Sequence, residues 1–119
     1  MTKQETFDKV VNHLRKQGAK AEGEIYGTSR QCIYWDRNTG RKCAAGCLIP
    51  EDKYDPNFET KSVTHEEIRN IIEDEGHDLY LVQCLQWIHD YRDILGWEAS
   101  FMALANSLGL KYSEREKSC

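Results

Sequence analysis

Four glycines each close a run of helically spaced apolar residues, and that rhythm confines the chain to a helical framework with one long interruption. Phe7, Val10, Val11 and Leu14 stand at i, i+3, i+4 and i+7 and stop at Gly18, after a capping-box pair, Thr2 and Glu5. This predicts a first helix over 3–17, with Arg15 and Lys16 in its last turn, where the helix dipole favours cations. A second start comes at Thr64 and Glu67, with Val63 and Ile68 placed as a hydrophobic staple, Ile68, Ile71 and Ile72 as the buried stripe, and Gly76 as the stop. Asp78 is positioned to cap a third helix, in which Leu81, Cys84, Leu85, Ile88, Tyr91 and Leu95 keep the period up to Gly96. It is the most apolar of the four and should be central. Trp97, Phe101, Leu104, Ala105 and Leu108 define the fourth, closed by Gly109-Leu110 in the manner of a Schellman end.

The interruption, residues 19–63, reads differently. Residues 19–29 hold two glycines and no period, which predicts a loop with a short strand at Ile25 and Tyr26. Gln31 to Trp35 is rich in β-branched and aromatic residues, Asp36 to Gly40 has turn composition, and Arg41 to Ile49 follows as a return strand ended by Pro50. In that strand Cys43, Ala45 and Cys47 would face one side, Ala44, Gly46 and Leu48 the other. Side chains this small imply that a helix packs closely across Gly46. An acidic loop over 51–59 would be anchored by Tyr54 and Phe58. The expected fold is therefore α+β, about four helices around a small antiparallel β-hairpin, with one domain over 1–110 and a polar, flexible tail over 111–119.

Length and charge exclude several classes. A chain of 119 residues supports one hydrophobic core. Residues 1–50 carry nine Lys or Arg against five Asp or Glu, and residues 51–119 seven against fifteen, so a basic first part (+4) faces an acidic second part (−8). The five cysteines are odd in number and lack the spacing of a disulfide framework, so reduced thiols are expected. No apolar run is long enough for a membrane span, and the first residues lack a secretory core, so the expected location is the cytoplasm.

No residue pattern demands catalysis. Cys32, Cys43 and Cys47 with His65 would make a zinc set, but Cys43 and Cys47 on one straight strand lie about 13 Å apart, too far to share an ion unless Gly46 bends the chain, and the expectation is that they are small buried side chains. Cys84 and His89 point about 140° apart on their helix. Glu66, Glu73 and Asp74 fall on the face opposite the isoleucine stripe, as solvated carboxylates do. Phosphate-loop, dinucleotide, zinc-protease and nucleophile-elbow strings do not occur. Neither a cofactor nor a metal is expected. Binding has better candidates: Arg30, Arg37, Arg41 and Lys42 beside Tyr34 and Trp35 form a basic aromatic hairpin suited to base stacking and phosphate contact. Tyr54, Phe58 and Trp87 are candidates for a protein interface, with Trp87 lying off the stripe of Leu81, Leu85 and Ile88.

The run Gly40-Arg41-Lys42-Cys43-Ala44-Ala45-Gly46-Cys47-Leu48-Ile49-Pro50-Glu51-Asp52-Lys53-Tyr54-Asp55-Pro56-Asn57-Phe58-Glu59 resembles a segment of small, mostly uncharacterised proteins of tailed bacteriophages and prophages. The resemblance implies no activity or site residue. It implies an accessory role in the host cytoplasm, and so a non-enzymatic protein that binds and inhibits or redirects a host protein such as a defence component. The alternative is a nucleotide or nucleic-acid binder that sequesters a signal through the hairpin. Homo-oligomerisation fits either reading.

Overall fold

A computed structural model describes residues 1–24 and 30–113 of the chain. Helix α1 spans Lys3–Gln17 and begins with the expected reciprocal cap: Glu5 N–H donates to Thr2 Oγ1 and Thr2 N–H to Glu5 Oε1. Gly18 takes the left-handed conformation at φ 63° and ends it. Helices α2 (Glu66–Asp74), α3 (Leu79–Tyr91) and α4 (Trp97–Leu108) follow. Helix α3 packs against all three others and is central. Its Leu81 and Leu85 share the core with Phe7, Val10 and Leu14 of α1, Ile68 and Ile72 of α2, and Phe101 and Ala105 of α4. Among the described residues, no helix is long and apolar enough to cross a membrane.

Two helix boundaries differ from expectation. Helix α2 is preceded by His65 as N-cap, with no side-chain cap, because the Thr64 hydroxyl is bonded to Ser62 Oγ at 2.6 Å instead. Helix α3 stops at Tyr91, and Ile94–Gly96 forms a single 3-10 turn that leaves Leu95 fully exposed. The Asp78 cap is present, accepting from Leu81 N–H at 2.9 Å. At the C-terminus, Leu110 N–H reaches Ala105 O at 2.8 Å, the 6→1 bond of a Schellman end. Residues beyond it are docked: Lys111 exchanges hydrogen bonds with the Gln4 amide, Ser113 O accepts from Arg15, and Tyr112 O–H donates to Glu98, which pairs with Arg15 at 2.6 Å. Residues 114–119 of the expected tail lie outside the described residues.

The hairpin-centred α+β fold does not form, and the chain is mostly helical. The expected return strand is the reason. Trp35 and Lys42 make a single isolated bridge, after which Gly46–Leu48 turns into a 3-10 helix, with Cys47 N–H bonded to Cys43 O. Lys42 offers its backbone to side chains instead of a ladder. Its N–H donates to Gln17 Oε1 at 2.8 Å, and its C=O accepts from Gln17 Nε2 and His13 Nε2, both at 2.9 Å. The run Cys43-Ala44-Ala45-Gly46 has little to hold a strand, and coiling buries its small side chains. The described pairing is a three-residue antiparallel ribbon, β1 (Glu22–Glu24) with β2 (Arg30–Cys32), at the edge of the fold. The expected strand at Ile25 and Tyr26 lies outside the described residues.

The close approach expected at Gly46 exists, but backbone makes it: a Cβ there would stand 2.0 Å from the Tyr34 carbonyl oxygen. Gly46→Ala is accordingly expected to destabilise by about 3 kcal/mol, while Gly96→Ala, where a Cβ meets nothing within 4 Å, should change little. Urea midpoints of the two variants check this.

Burial of His13, and the nearby charge of Lys42, hold its imidazole below the usual 6.5; burial and Lys9 do the same for His77, whose Nδ1 bonds Thr6 Oγ1 at 2.7 Å. The unfolded chain therefore binds protons more readily than the folded one once the pH drops below about 6.5. Stability should be full above that pH and fall from 6.5 towards 5. His13→Gln should flatten the slope, as read from thermal midpoints.

Candidate interaction surface and polar cavity

Helix α3 is apolar on two sides. One side carries Leu81, Val82, Leu85 and Ile88 into the core. The other carries Tyr80, Cys84, Trp87 and Tyr91, which at 100° per residue lie within about 60° of one another. Three of these are open to solvent: Tyr80 at 63%, Trp87 at 48% and Tyr91 at 72%. The Trp87 and Tyr91 rings touch at 5.6 Å, and the Arg92 guanidinium lies 4.8 Å over the Trp87 ring. Ile88, Leu104 and Cys84 floor an apolar hollow beside Trp87, and Ile94, Leu95 and Met102 are further exposed apolar side chains.

On its other flank Trp87 borders an open cavity of about 410 Å³, lined by Cys32–Tyr34, Cys43, Glu59, the segment Lys61 to Thr64 and the α3 residues Gln83, Gln86, Asp90 and Tyr91. A hydrogen-bonded chain runs behind its wall and reaches it at Gln86 and Asp90. Ala21 N–H donates to Nε2 of the fully buried His89 at 3.1 Å, so the imidazole proton sits on Nδ1 and goes to Asp90 Oδ1 at 2.8 Å. Gln86 Nε2 donates to the same carboxylate oxygen at 2.7 Å, while its Oε1 accepts from Ala45 N–H at 2.9 Å. The chain ties the segment before β1 and the Ala45 turn to the central helix.

Cys32, His89 and Asp90 bring their ligand atoms within 4.8 Å of one another. The hydrogen bonds divide them differently. Metal binding at Nδ1 would move the imidazole proton to Nε2, against the Ala21 N–H that points there. The thiol is also poorly disposed to ionise: burial, and then the charge of Asp90, push Cys32 up to about 12. Burial does the same to Cys47, also to about 12, and holds Cys43 well above its usual range. The set weighed from the sequence, Cys32, Cys43 and Cys47 with His65, is arranged otherwise. The Cys43 thiol accepts from Gly46 N–H and the Cys47 thiol donates to Ala44 O, on a coil rather than the straight strand assumed for their separation.

The basic aromatic group of the expected hairpin is brought together only in part, and it is spent on itself. Trp35 has the Arg37 guanidinium 5.0 Å and the Lys42 ammonium 4.9 Å from its ring centre, and Tyr54 against its edge at 5.1 Å. Lys42 also pairs with Glu51 at 3.0 Å. Tyr34 is buried in the cavity wall, and Arg41 lies apart, in a hollow with His13, Lys16 and Gln17. The side chain of Arg30 lies outside the described part of the chain. Of the expected interface aromatics, Phe58 is buried and Tyr54 half-buried with its hydroxyl on Glu59, so neither presents a ring to a partner as Trp87 does.

The His89–Asp90 pair was not among the candidate residues of the sequence. Its signal was His89 at Leu81+8, on the apolar stripe of the central helix, where a polar side chain must find buried partners. Comparison with protein-family models, curated proteins and solved structures finds no match to this chain.

The raised thiols have a measurable consequence. A pKa three units up lowers the thiolate fraction about 1,000-fold, so iodoacetamide at pH 8 should label Cys32 and Cys47 at least about 100-fold more slowly in the native than in the urea-unfolded protein, as read by peptide mass spectrometry. Since only the unfolded thiols ionise between pH 9 and about 12, stability should also fall as the pH rises above 9.

Proposed function

We propose that this chain acts by binding another protein, with the exposed stripe of α3 as the contact surface. The observation that carries this reading is that α3 is apolar on two sides while its own fold covers one. Large exposed aromatics grouped with an apolar hollow are the composition of an interface centre, where Trp and Tyr supply much contact area at low entropic cost. In the phage setting that the segment over 40–59 resembles, the partner is a host protein that the chain inhibits or redirects. Binding rather than turnover also suits thiols held protonated by burial and a histidine whose two nitrogens are both hydrogen-bonded. The nucleotide-binding alternative draws less support, since Tyr34 is buried, Lys42 is paired with Glu51 and Arg41 lies apart from Trp35.

The test is affinity capture from bacterial lysate with wild type, Trp87→Ser and Arg41→Ala in parallel. A stoichiometric protein retained by wild type and Arg41→Ala, and reduced about 30-fold by Trp87→Ser, is the expected result, the scale of losing an interface hot spot of about 2 kcal/mol. Equal recovery with Trp87→Ser, or elution of a nucleotide that Arg41→Ala abolishes, would overturn the reading.

A further inference from the structure

We propose that the cavity beside Trp87 receives an arginine side chain of the partner protein, its guanidinium on the Asp90 carboxylate and its flat face against Trp87 and Tyr91. This rests on the protein-binding reading and adds the partner's chemistry. The cavity is continuous with the docking stripe, because Trp87 and Gln83 line both it and the apolar hollow. One partner surface lying across the stripe would therefore pass over its mouth.

Asp90 is prepared for a cation. Its Oδ1 is held by His89 Nδ1–H and Gln86 Nε2, which fixes the carboxylate, and among the described residues no donor is bonded to Oδ2. The second carboxylate of the lining, Glu59, is already engaged by the Tyr34 and Trp35 N–H groups and the Tyr54 hydroxyl. Three groups in the wall register the sign of the interior. Cys32, Tyr34 and Cys43 are all pushed up, first by burial, and Asp90 contributes in the same direction at each. Two cations lie near. Lys61 is in the lining, and Lys20 sits 3.5 Å from the Asp90 backbone carbonyl, opposing the carboxylates at Cys32 with a smaller effect than Asp90 or Glu22.

The aromatic wall selects among cations. A guanidinium is planar and weakly hydrated, and can stack on a ring while an N–H at its edge donates to a carboxylate oxygen; an ammonium does not combine these. Arg92 shows the geometry within the chain, its guanidinium 4.8 Å from the centre of the Trp87 ring. Phosphate-bearing ligands are disfavoured by the same carboxylates, and the net −8 of residues 51–119 favours a basic partner surface.

The experiment titrates the blocked tripeptide Gly-Arg-Gly, and its citrulline isostere, into the protein, following the Trp87 indole and Gln86 side-chain amide signals by NMR. Saturable shifts with the arginine peptide, at least about tenfold weaker with citrulline and with Asp90→Asn, but unchanged in the exposed Asp93→Asn, are expected. Asn keeps an oxygen for both donors that hold Oδ1, and the citrulline comparison on wild type stands whether or not the variant folds. Equal response to citrulline, shifts that survive Asp90→Asn, or no shifts would overturn the proposal. Absent shifts with capture still dependent on Trp87 would remove the arginine pocket alone. Peptide binding without Trp87-dependent capture would overturn the protein-binding reading and, with it, the partner as the source of the arginine.

Discussion

Tyr34 holds the non-helical part of this molecule in place. Its N–H goes to Glu59, its hydroxyl to the Lys61 carbonyl, and its own carbonyl accepts from Cys43 N–H while pressing against Gly46. Four bonds and contacts from one residue thus join the bridge at Trp35, the coil over 43–48 and the segment over 58–61. The ring and backbone of Tyr34 also form the back of the cavity. That position depends on Gly46 having no side chain, so the smallest residue of the segment determines where this wall of the cavity stands.

The same economy governs the hydrogen bonds behind the cavity wall. A histidine fully buried in an apolar helix is costly unless both nitrogens are bonded. Here a backbone N–H and a carboxylate supply the two bonds, and the carboxylate in turn is steadied by Gln86, whose other end holds the Ala45 turn. The network that makes His89 affordable therefore also aims Asp90. Stability and the orientation of a charged group at the surface of the cavity come from one set of hydrogen bonds.

What could be read from the sequence follows the range of the interactions involved. Helix α1, its cap at Thr2, its end at Gly18 and the Asp78 cap of α3 are local, set by residues three to five apart, and they stand where the spacing put them. Trp87 was recognisable as an outlier from the apolar stripe, and it is exposed. The return strand was misread because the alternation of small residues over 43–48 fits a strand as well as a coil. What decides between them is Gln17 and His13, some 25 residues away, bonding the backbone of Lys42. Thr64 does not cap α2, which starts after His65; its hydroxyl bonds Ser62 in the loop before it instead. The cavity has residues from four separate parts of the chain in its walls, and no local pattern announces it.

The docking of residues 111–113 on α1 bears on how the chain folds as it is made. Arg15 finds its carboxylate on Glu98 and a carbonyl at Ser113, and Gln4 finds its backbone partner at Lys111, separations of 83, 98 and 107 residues. Synthesis proceeds at roughly 5–20 residues per second, so α1 emerges several seconds before the groups that satisfy its outer face. Of the four helices described, α1 is made first, and its outer polar groups are among the last to find their partners. During that interval the reciprocal cap of Thr2 and Glu5 already has its partners, because both lie at its own first turn.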